Sequence, residues 1–195
     1  MVNRRIRSPL SLDGPIDNYL SMKNVQMVQS VFPESMWASA FPIANALYTY
    51  ESFLQGVAKF PKFCNENNLG TTAEMACKKE LATVFAHMGQ ETGKRDPSLG
   101  AFWTQALYYT TEISPPHGYN SYDWDNHVKW PNYPGMAYIG RGPLQLSWNY
   151  NYGQFSNIYS NRGYDAKLEL LEDPTLVTAD GFTAFSAAFW FYMTP

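Results

Sequence analysis

The chain of 195 residues is 45% hydrophobic and 16% charged, a composition that suits one globular domain and excludes a disordered polymer. Its net charge of −3 and the absence of an apolar run of about 20 residues argue against nucleic-acid and membrane partners. Aromatic residues make up 16% of the chain, and because their faces stack on sugar rings but also fill cores, this content favours a carbohydrate-binding function only modestly.

The first residues of the chain show neither helical nor strand periodicity. Residues 1–22 mix Arg, Ser, Pro, Gly and Asp, and Asp13 and Gly14 stand where a signal peptide would need its apolar stretch. We therefore expect a poorly ordered leader over residues 1–22, followed by one domain over residues 23–195.

Two cysteines, Cys64 and Cys77, bracket a mostly polar segment that a loop can span. A local disulfide between them would contribute about 3 kcal/mol on the chain-entropy model. It would also favour an oxidising compartment, so that we expect an extracellular, secreted protein. Two free thiols remain the alternative, because two cysteines carry far less information than a framework of six.

The clearest periodic pattern predicts a helix over residues 72–91. Residues 71–74 read TTAE, which fits a capping box at a helix start. Apolar residues then follow the spacing of one helix face, at Leu81, Val84, Phe85 and Met88. Gly93 is a natural stop for this helix.

Glu91 lies three positions after Met88, on the edge of the apolar face in the last turn of this predicted helix. Partial burial and the negative helix terminus would both disfavour a charged carboxylate, which suits a general acid. Lys94 and Arg95 would oppose that effect if they folded back. On these local grounds alone, an ordinary solvated glutamate at a helix end is the favoured alternative.

Glu112 stands where the aromatic segment 102–109 gives way to residues 113–143, which are crowded with Pro, Gly, Tyr, Asn and Asp. That composition predicts a long structured loop, and loops of this length in a compact domain are usually functional. A carboxylate on a loop can stay hydrated and ionised, as a general base must. An ordinary loop glutamate is the alternative. The case for catalysis depends on Glu91 and Glu112 together, because glycoside hydrolysis needs one protonated and one ionised carboxyl group.

Residues 138–153 read YIGRGPLQLSWNYNYG and predict a binding strand or turn. Gly140 and Gly142 permit a tight backbone path, and Pro143 fixes it. Amide and hydroxyl groups that could bind sugar hydroxyls follow at Gln145, Ser147, Asn149 and Asn151. A Gly-Pro turn with a polar, solvated edge is the alternative.

The last element is a second apolar helix, which Asp173, Pro174 and Thr178 are predicted to open. Phe182, Phe185 and Phe189 share one of its faces. Because it is apolar nearly all round, we expect it to be packed on every side.

Residues 138–153 closely resemble the signature of the glycoside hydrolase family 19 chitinases. The resemblance extends through residues 85–93, 172–177 and 188–195, and with weaker similarity upstream it covers residues 45–195. It implies a mainly α, lysozyme-like fold with a substrate cleft between two lobes. It also implies inverting endo-hydrolysis of β-1,4-linked N-acetylglucosamine polymers, without a metal or organic cofactor, and we expect a monomer.

Carried over by position, the resemblance implies three catalytic residues. Glu91 is the general acid, Glu112 is the general base, and Ser147 helps hold the attacking water. It further implies that three side chains line the sugar subsites, namely Trp130, Gln145 and Asn151. Inverting chemistry requires the two carboxyl groups to stand about 6.5 to 9.5 Å apart, so that a water fits between base and sugar.

The sequence departs from the family pattern in three ways. Gln90 and Gly93 stand where family members often have His and Thr, so we expect different hydrogen bonding around the acid. The cysteine pattern of the plant enzymes is not reproduced. The family domain normally continues beyond residue 195, so we expect a C-terminal part of the domain to be missing from this sequence. Two alternative functions are a peptidoglycan-cleaving lysin and an inactive module that binds chitin oligomers.

Overall fold

The computed structural model describes residues 14–65, 70–115, 118, 122–123, 128–160 and 170–194. These segments are mainly helical, as predicted, and hold no sheet strand, only isolated bridges that join Arg141 to Thr111 and to Leu146. The α-helices are α1 (Lys23–Val31), α2 (Glu34–Ala40), α3 (Tyr50–Ala58), α4 (Ala73–Thr92), α5 (Asn149–Ser160) and α6 (Gly181–Met193). Short 3₁₀ helices span Tyr19–Ser21, Pro97–Leu99, Phe102–Gln105 and Pro174–Thr178.

Helix α4 matches its predicted bounds to within one residue at each end. Its N-cap is Thr72, whose hydroxyl accepts a hydrogen bond from the Met75 amide at 3.2 Å. The predicted capping box is therefore wrong, because a cap at Thr72 places Met75 and not Glu74 at the third helical position. The helix ends at Gly93 as predicted, where an added Cβ would lie 2.5 Å from the Gly89 carbonyl oxygen.

The core is built from aromatic rings contributed by several helices. The Trp37 ring of α2 lies 4.7 Å from the Phe41 ring and 6.3 Å from the Phe32 ring, both edge to face. Phe53 of α3 meets Phe185 of α6 edge to face at 5.6 Å. Edge-to-face pairs of buried rings contribute about 0.5 to 1.5 kcal/mol each beyond the area that they bury. Much of the high aromatic content therefore serves the core.

Helix α6 begins later than predicted. Asp173 caps the separate 3₁₀ helix Pro174–Thr178, and Asp180 caps α6 by accepting from the Thr183 amide at 2.7 Å. The single helix predicted from Asp173 onward is therefore wrong, because two aspartate caps close together each start a helix of their own. Every residue from Phe182 to Trp190 is buried, so the predicted packing on all sides is confirmed for that stretch.

Residues 14–22 fall within the predicted leader and contact the domain. Ile16, Tyr19 and Met22 are partly buried against the core, and α1 begins directly after them at Lys23. Residues 1–13 lie outside the described residues, and the division into leader and domain stays a prediction. In the described part of the chain, no helix is both long and apolar enough to cross a membrane.

A disulfide joins Cys64 to Cys77, with a Cα–Cα distance of 4.5 Å. It fastens the turn that follows α3 to the first turns of α4, and both cysteines are buried. The bond therefore closes a short loop between cysteines 13 positions apart, next to the helix that carries Glu91.

Replacing both cysteines by Ala should lower the free energy of unfolding by about 3 kcal/mol, because the bond restricts the unfolded chain. Urea unfolding followed by circular dichroism measures the difference. The matched control is the wild-type chain kept reduced, which should lose a similar amount. An unchanged midpoint in both samples would show that the bond contributes nothing to stability.

Candidate active site

Glu91 lies in the last turn of α4 and lines a pocket of about 390 Å³. The other residues that line this pocket are His87, Leu144, Phe191 and Tyr192. The Glu91 side chain is exposed, so the predicted partial burial is wrong. Three residues turn a helix by about 300°, so Glu91 points about 60° away from the buried direction of Met88 and toward the pocket.

The positive charges that follow Glu91 are engaged elsewhere. The Lys94 ammonium lies 3.7 Å from the Asp96 carboxylate and 5.1 Å from the centre of the Tyr108 ring. The Arg95 guanidinium donates a hydrogen bond to the Gln90 carbonyl oxygen. These contacts hold Lys94 and Arg95 with partners other than the Glu91 carboxylate.

Glu112 is half-buried on an irregular segment, and hydrogen bonds hold both of its carboxylate oxygens. Oε1 accepts from the Tyr122 hydroxyl at 2.8 Å, and Oε2 accepts from the Gly140 amide at 3.1 Å. The Glu112 amide in turn donates to the Gly140 carbonyl at 2.8 Å. Donors on both oxygens therefore fix the orientation of this carboxylate.

The charges of both glutamates act on the Tyr122 phenol. Partial burial, the hydrogen bond and charge of Glu112, and the charge of Glu91 together raise the pKa of Tyr122 to about 12. The phenol therefore stays a neutral donor at neutral pH. Both glutamates also border residues 138–153, because Leu144 lines the Glu91 pocket and the Gly140 amide donates to Glu112.

Residues 138–153 form a turn that leads into α5. Of the two predicted possibilities, a strand or a turn, the structure shows the turn. The Gly142 amide donates to the Thr110 carbonyl at 2.8 Å, which ties the turn to the segment just before Glu112. Gly142 has a φ of 80°, a backbone conformation that glycine adopts at no steric cost. An added Cβ at Gly140 would lie 2.7 Å from Oε1 of Gln145.

Three of the predicted site residues lie close together, Gln145 and Ser147 on this turn and Asn151 in the first turn of α5. The Ser147 hydroxyl donates to the Gln145 carbonyl at 2.8 Å, and the Asn151 amide donates to the Ser147 carbonyl at 2.9 Å. The Gln145 side-chain amide donates to the Gly142 carbonyl at 2.9 Å. All three side chains are half-buried, so each is fixed by the turn and still reaches solvent.

Trp130 is anchored against the first turns of α5. The Asn149 side-chain amide donates to the Trp130 carbonyl at 2.8 Å, and an added Cβ at Gly153 would lie 2.5 Å from a carbon of the ring. The Lys129 ammonium lies 4.9 Å from the centre of the ring. The ring is half-buried against the core, and its part in sugar binding stays a prediction.

Arg141 is a buried cation on the turn of residues 138–153. Its guanidinium donates to the Ala137 carbonyl at 2.7 Å and to the Tyr152 hydroxyl at 2.9 Å. Burial raises the pKa of Tyr152, the Arg141 charge lowers it, and the Glu112 charge raises it. Arg141 and Glu112 therefore both act on this one phenol. Among the described residues, no group of His, Cys, Asp and Glu side chains is placed to hold a metal ion.

Sequence reasoning missed Tyr122, Arg141 and Trp148. Trp148 is partly exposed with a φ of 75°, and its ring meets the Tyr122 ring edge to face at 5.6 Å. Arg141 and Trp148 lie inside the conspicuous residues 138–153 and could have been singled out there. Tyr122 lies in an aromatic-rich loop whose sequence gives no signal that distinguishes it from its neighbours.

Comparison with known proteins gives a consistent result. Residues 34–195 match the family model described as chitinase class I, of glycoside hydrolase family 19. The chain is 38% identical over 160 residues to endochitinase 2 of Gossypium hirsutum, covering 78% of this chain and 46% of the relative. It is 36% identical over 154 residues to inactive chitinase-like protein 1 of Hevea brasiliensis, covering 78% of this chain and 44% of that relative. It thus spans about half the length of these relatives.

The fold is also similar to a solved structure. Chitinase C from Streptomyces griseus HUT6037 superposes with a TM-score of 0.66 at 27% identity, over 84% of this chain and 66% of that one. The mainly helical, lysozyme-like fold that the resemblance implied is therefore confirmed. The family match extends over most of the chain, so the protein belongs to the glycoside hydrolase family 19 chitinases.

Proposed function

We propose that this chain carries the machinery for inverting endo-hydrolysis of chitin, a β-1,4-linked N-acetylglucosamine polymer. The observation that carries the proposal is that both glutamates border residues 138–153, Glu112 through its hydrogen bonds with Gly140 and Glu91 through a pocket that Leu144 also lines. The two carboxylates differ in surroundings, because Glu91 is exposed at a pocket while donors hold both oxygens of Glu112. The reaction needs two such carboxyl groups, one for the leaving oxygen and one for the attacking water.

In the proposed reaction Glu91 gives its proton to the glycosidic oxygen as the bond from that oxygen to the anomeric carbon breaks. Glu112 takes a proton from water as the water oxygen bonds to the same carbon from the opposite face. Ser147, held on its turn, helps to place this water. Inversion requires the carboxyl groups to stand about 6.5 to 9.5 Å apart, and this separation stays a prediction.

The sugar chain is proposed to lie along the turn and α5, where Trp130 supplies an apolar face and Gln145 and Asn151 supply polar groups. The polysaccharide is then the only partner that the mechanism needs, and we propose that the protein acts as a monomer. The net charge of −3 favours a neutral polymer over nucleic acid. The disulfide favours an oxidising compartment, which supports the proposal of a secreted protein.

The test is turnover of a chitin hexasaccharide by this chain, followed by proton NMR within the first minutes. We expect cleavage at internal bonds with the α-anomer formed first, because one displacement inverts the β-linkage. The same preparation incubated with bacterial cell walls tests the peptidoglycan alternative. A β-anomer formed first would overturn the inverting mechanism, and release of products from cell walls alone would overturn the choice of substrate.

A second candidate is a module that binds chitin oligomers without cleaving them. The observation that favours it is the similarity to a relative named inactive chitinase-like protein 1, at 36% identity. Glu91 and Glu112 are both present here, which favours the enzyme. Calorimetric titration with chitin tetrasaccharide distinguishes the two, since binding without any later product would support the module.

A further inference from the structure

We propose that Tyr122 is a positioning residue that holds the Glu112 carboxylate in line with the water-holding turn. This inference rests on the proposed function and deepens it. Tyr122 contacts Glu112 through its hydroxyl and contacts the turn through its ring and its backbone. It thereby links the proposed base to the segment that carries Ser147.

Three contacts fix Tyr122. Its hydroxyl donates to Oε1 of Glu112 at 2.8 Å. Its ring meets the Trp148 ring at 5.6 Å with an interplanar angle of 89°. Its carbonyl accepts from the Asn149 amide at 3.3 Å. Because Trp148 and Asn149 directly follow Ser147, the phenol keeps a fixed relation to the Ser147 backbone.

The arrangement bears on how Glu112 receives a proton. A carboxylate on an irregular segment could rotate, but here the phenol holds Oε1 and the Gly140 amide holds Oε2. Each oxygen then keeps a further lone pair in a defined direction. A base must point a lone pair at the water as it attacks, and small displacements of such groups cost large factors in rate. Fixing both oxygens meets that need.

Other charged groups surround this contact and enter any pH dependence. The Glu91 charge acts on Tyr122, and the buried Arg141 and the Glu112 charge both act on Tyr152. The substitution Tyr122→Phe leaves all of these charges in place. It removes one hydroxyl that donates to the ionised form of Glu112, so the variant isolates that hydrogen bond.

Tyr122→Phe should lower kcat on chitin hexasaccharide by about 10- to 100-fold with KM within about twofold, as expected for a lost hydrogen bond to a charged group. Tyr133→Phe, at an exposed tyrosine of the same loop, is the matched control and should behave as wild type. A merely structural role would lower Tm without lowering kcat selectively over KM.

Carbon-13 NMR of the Glu112 carboxyl carbon decides the inference without turnover. Its chemical shift at one fixed neutral pH should change in Tyr122→Phe and stay the same in Tyr133→Phe, because only the first variant loses the hydrogen bond to Oε1. If the wild-type chain cleaves no chitin, the proposed function fails, and this chemical shift alone then confirms or overturns the hydrogen-bonded positioning. An active wild type with Tyr122→Phe equal to Tyr133→Phe in kcat and KM would overturn the inference.

Discussion

Glu91→Gln is expected to lower kcat on chitin oligosaccharides by about 10²- to 10⁴-fold, the usual contribution of a general acid. The amide keeps the size of the side chain but cannot protonate the leaving oxygen at neutral pH. Because Glu91 is exposed, the substitution should leave Tm and oligosaccharide affinity nearly unchanged. Single-turnover assays and calorimetric titration measure the two effects separately.

The leaving group distinguishes loss of an acid from general damage. An aryl glycoside whose phenolate leaves readily needs little protonation, so Glu91→Gln should cleave it with a much smaller loss than it shows on chitin. Glu74→Gln, at an exposed glutamate in the first turn of the same helix, is the matched control and should remain fully active. Equal losses of Glu91→Gln on both substrates would contradict the role of acid.

The helix that carries Glu91 was predictable because its signals are local. The apolar face lies within α4, and the cap and the terminal glycine directly flank it. The start of α6 was not, since Asp173 and Asp180 are both good caps and the choice depends on tertiary contact. An added Cβ at Gly181 would lie 2.3 Å from the Leu47 carbonyl oxygen, a close approach that a sequence pattern does not reveal.

The site was predictable only in part for a similar reason. Glu91 and Glu112 were named from the resemblance, while the contact of Glu112 with Tyr122 depends on a hydrogen bond between residues ten positions apart. Irregular segments carry no period that would tell which side chains face each other. Arg141 was missed because arginine is usually exposed, and its burial follows from carbonyl and phenol acceptors that only the folded turn brings together.

Replacing the proposed base by Ala should be as damaging as replacing the acid. Glu112→Ala is expected to lower kcat by about 10²- to 10⁴-fold, because no group then removes a proton from the attacking water. Unlike Glu91→Gln, it should lose as much on the aryl glycoside as on chitin, since both reactions need the same water. Steady-state rates on the two substrates measure the ratio, and a smaller loss on the aryl glycoside would contradict the role of base.

Azide gives Glu112→Ala a distinctive outcome, because it is a nucleophile that needs no base. Removal of the carboxylate frees space and leaves two donors, the Tyr122 hydroxyl and the Gly140 amide, which now serve its oxygens. An anion held by these donors would attack from the face that water uses, so sodium azide should raise the rate of aryl glycoside cleavage and yield the α-glycosyl azide. A β-glycosyl azide would indicate a covalent intermediate and a retaining enzyme. Adding Tyr122→Phe to Glu112→Ala removes one of the two donors, and the azide concentration needed for half-maximal rescue should rise accordingly.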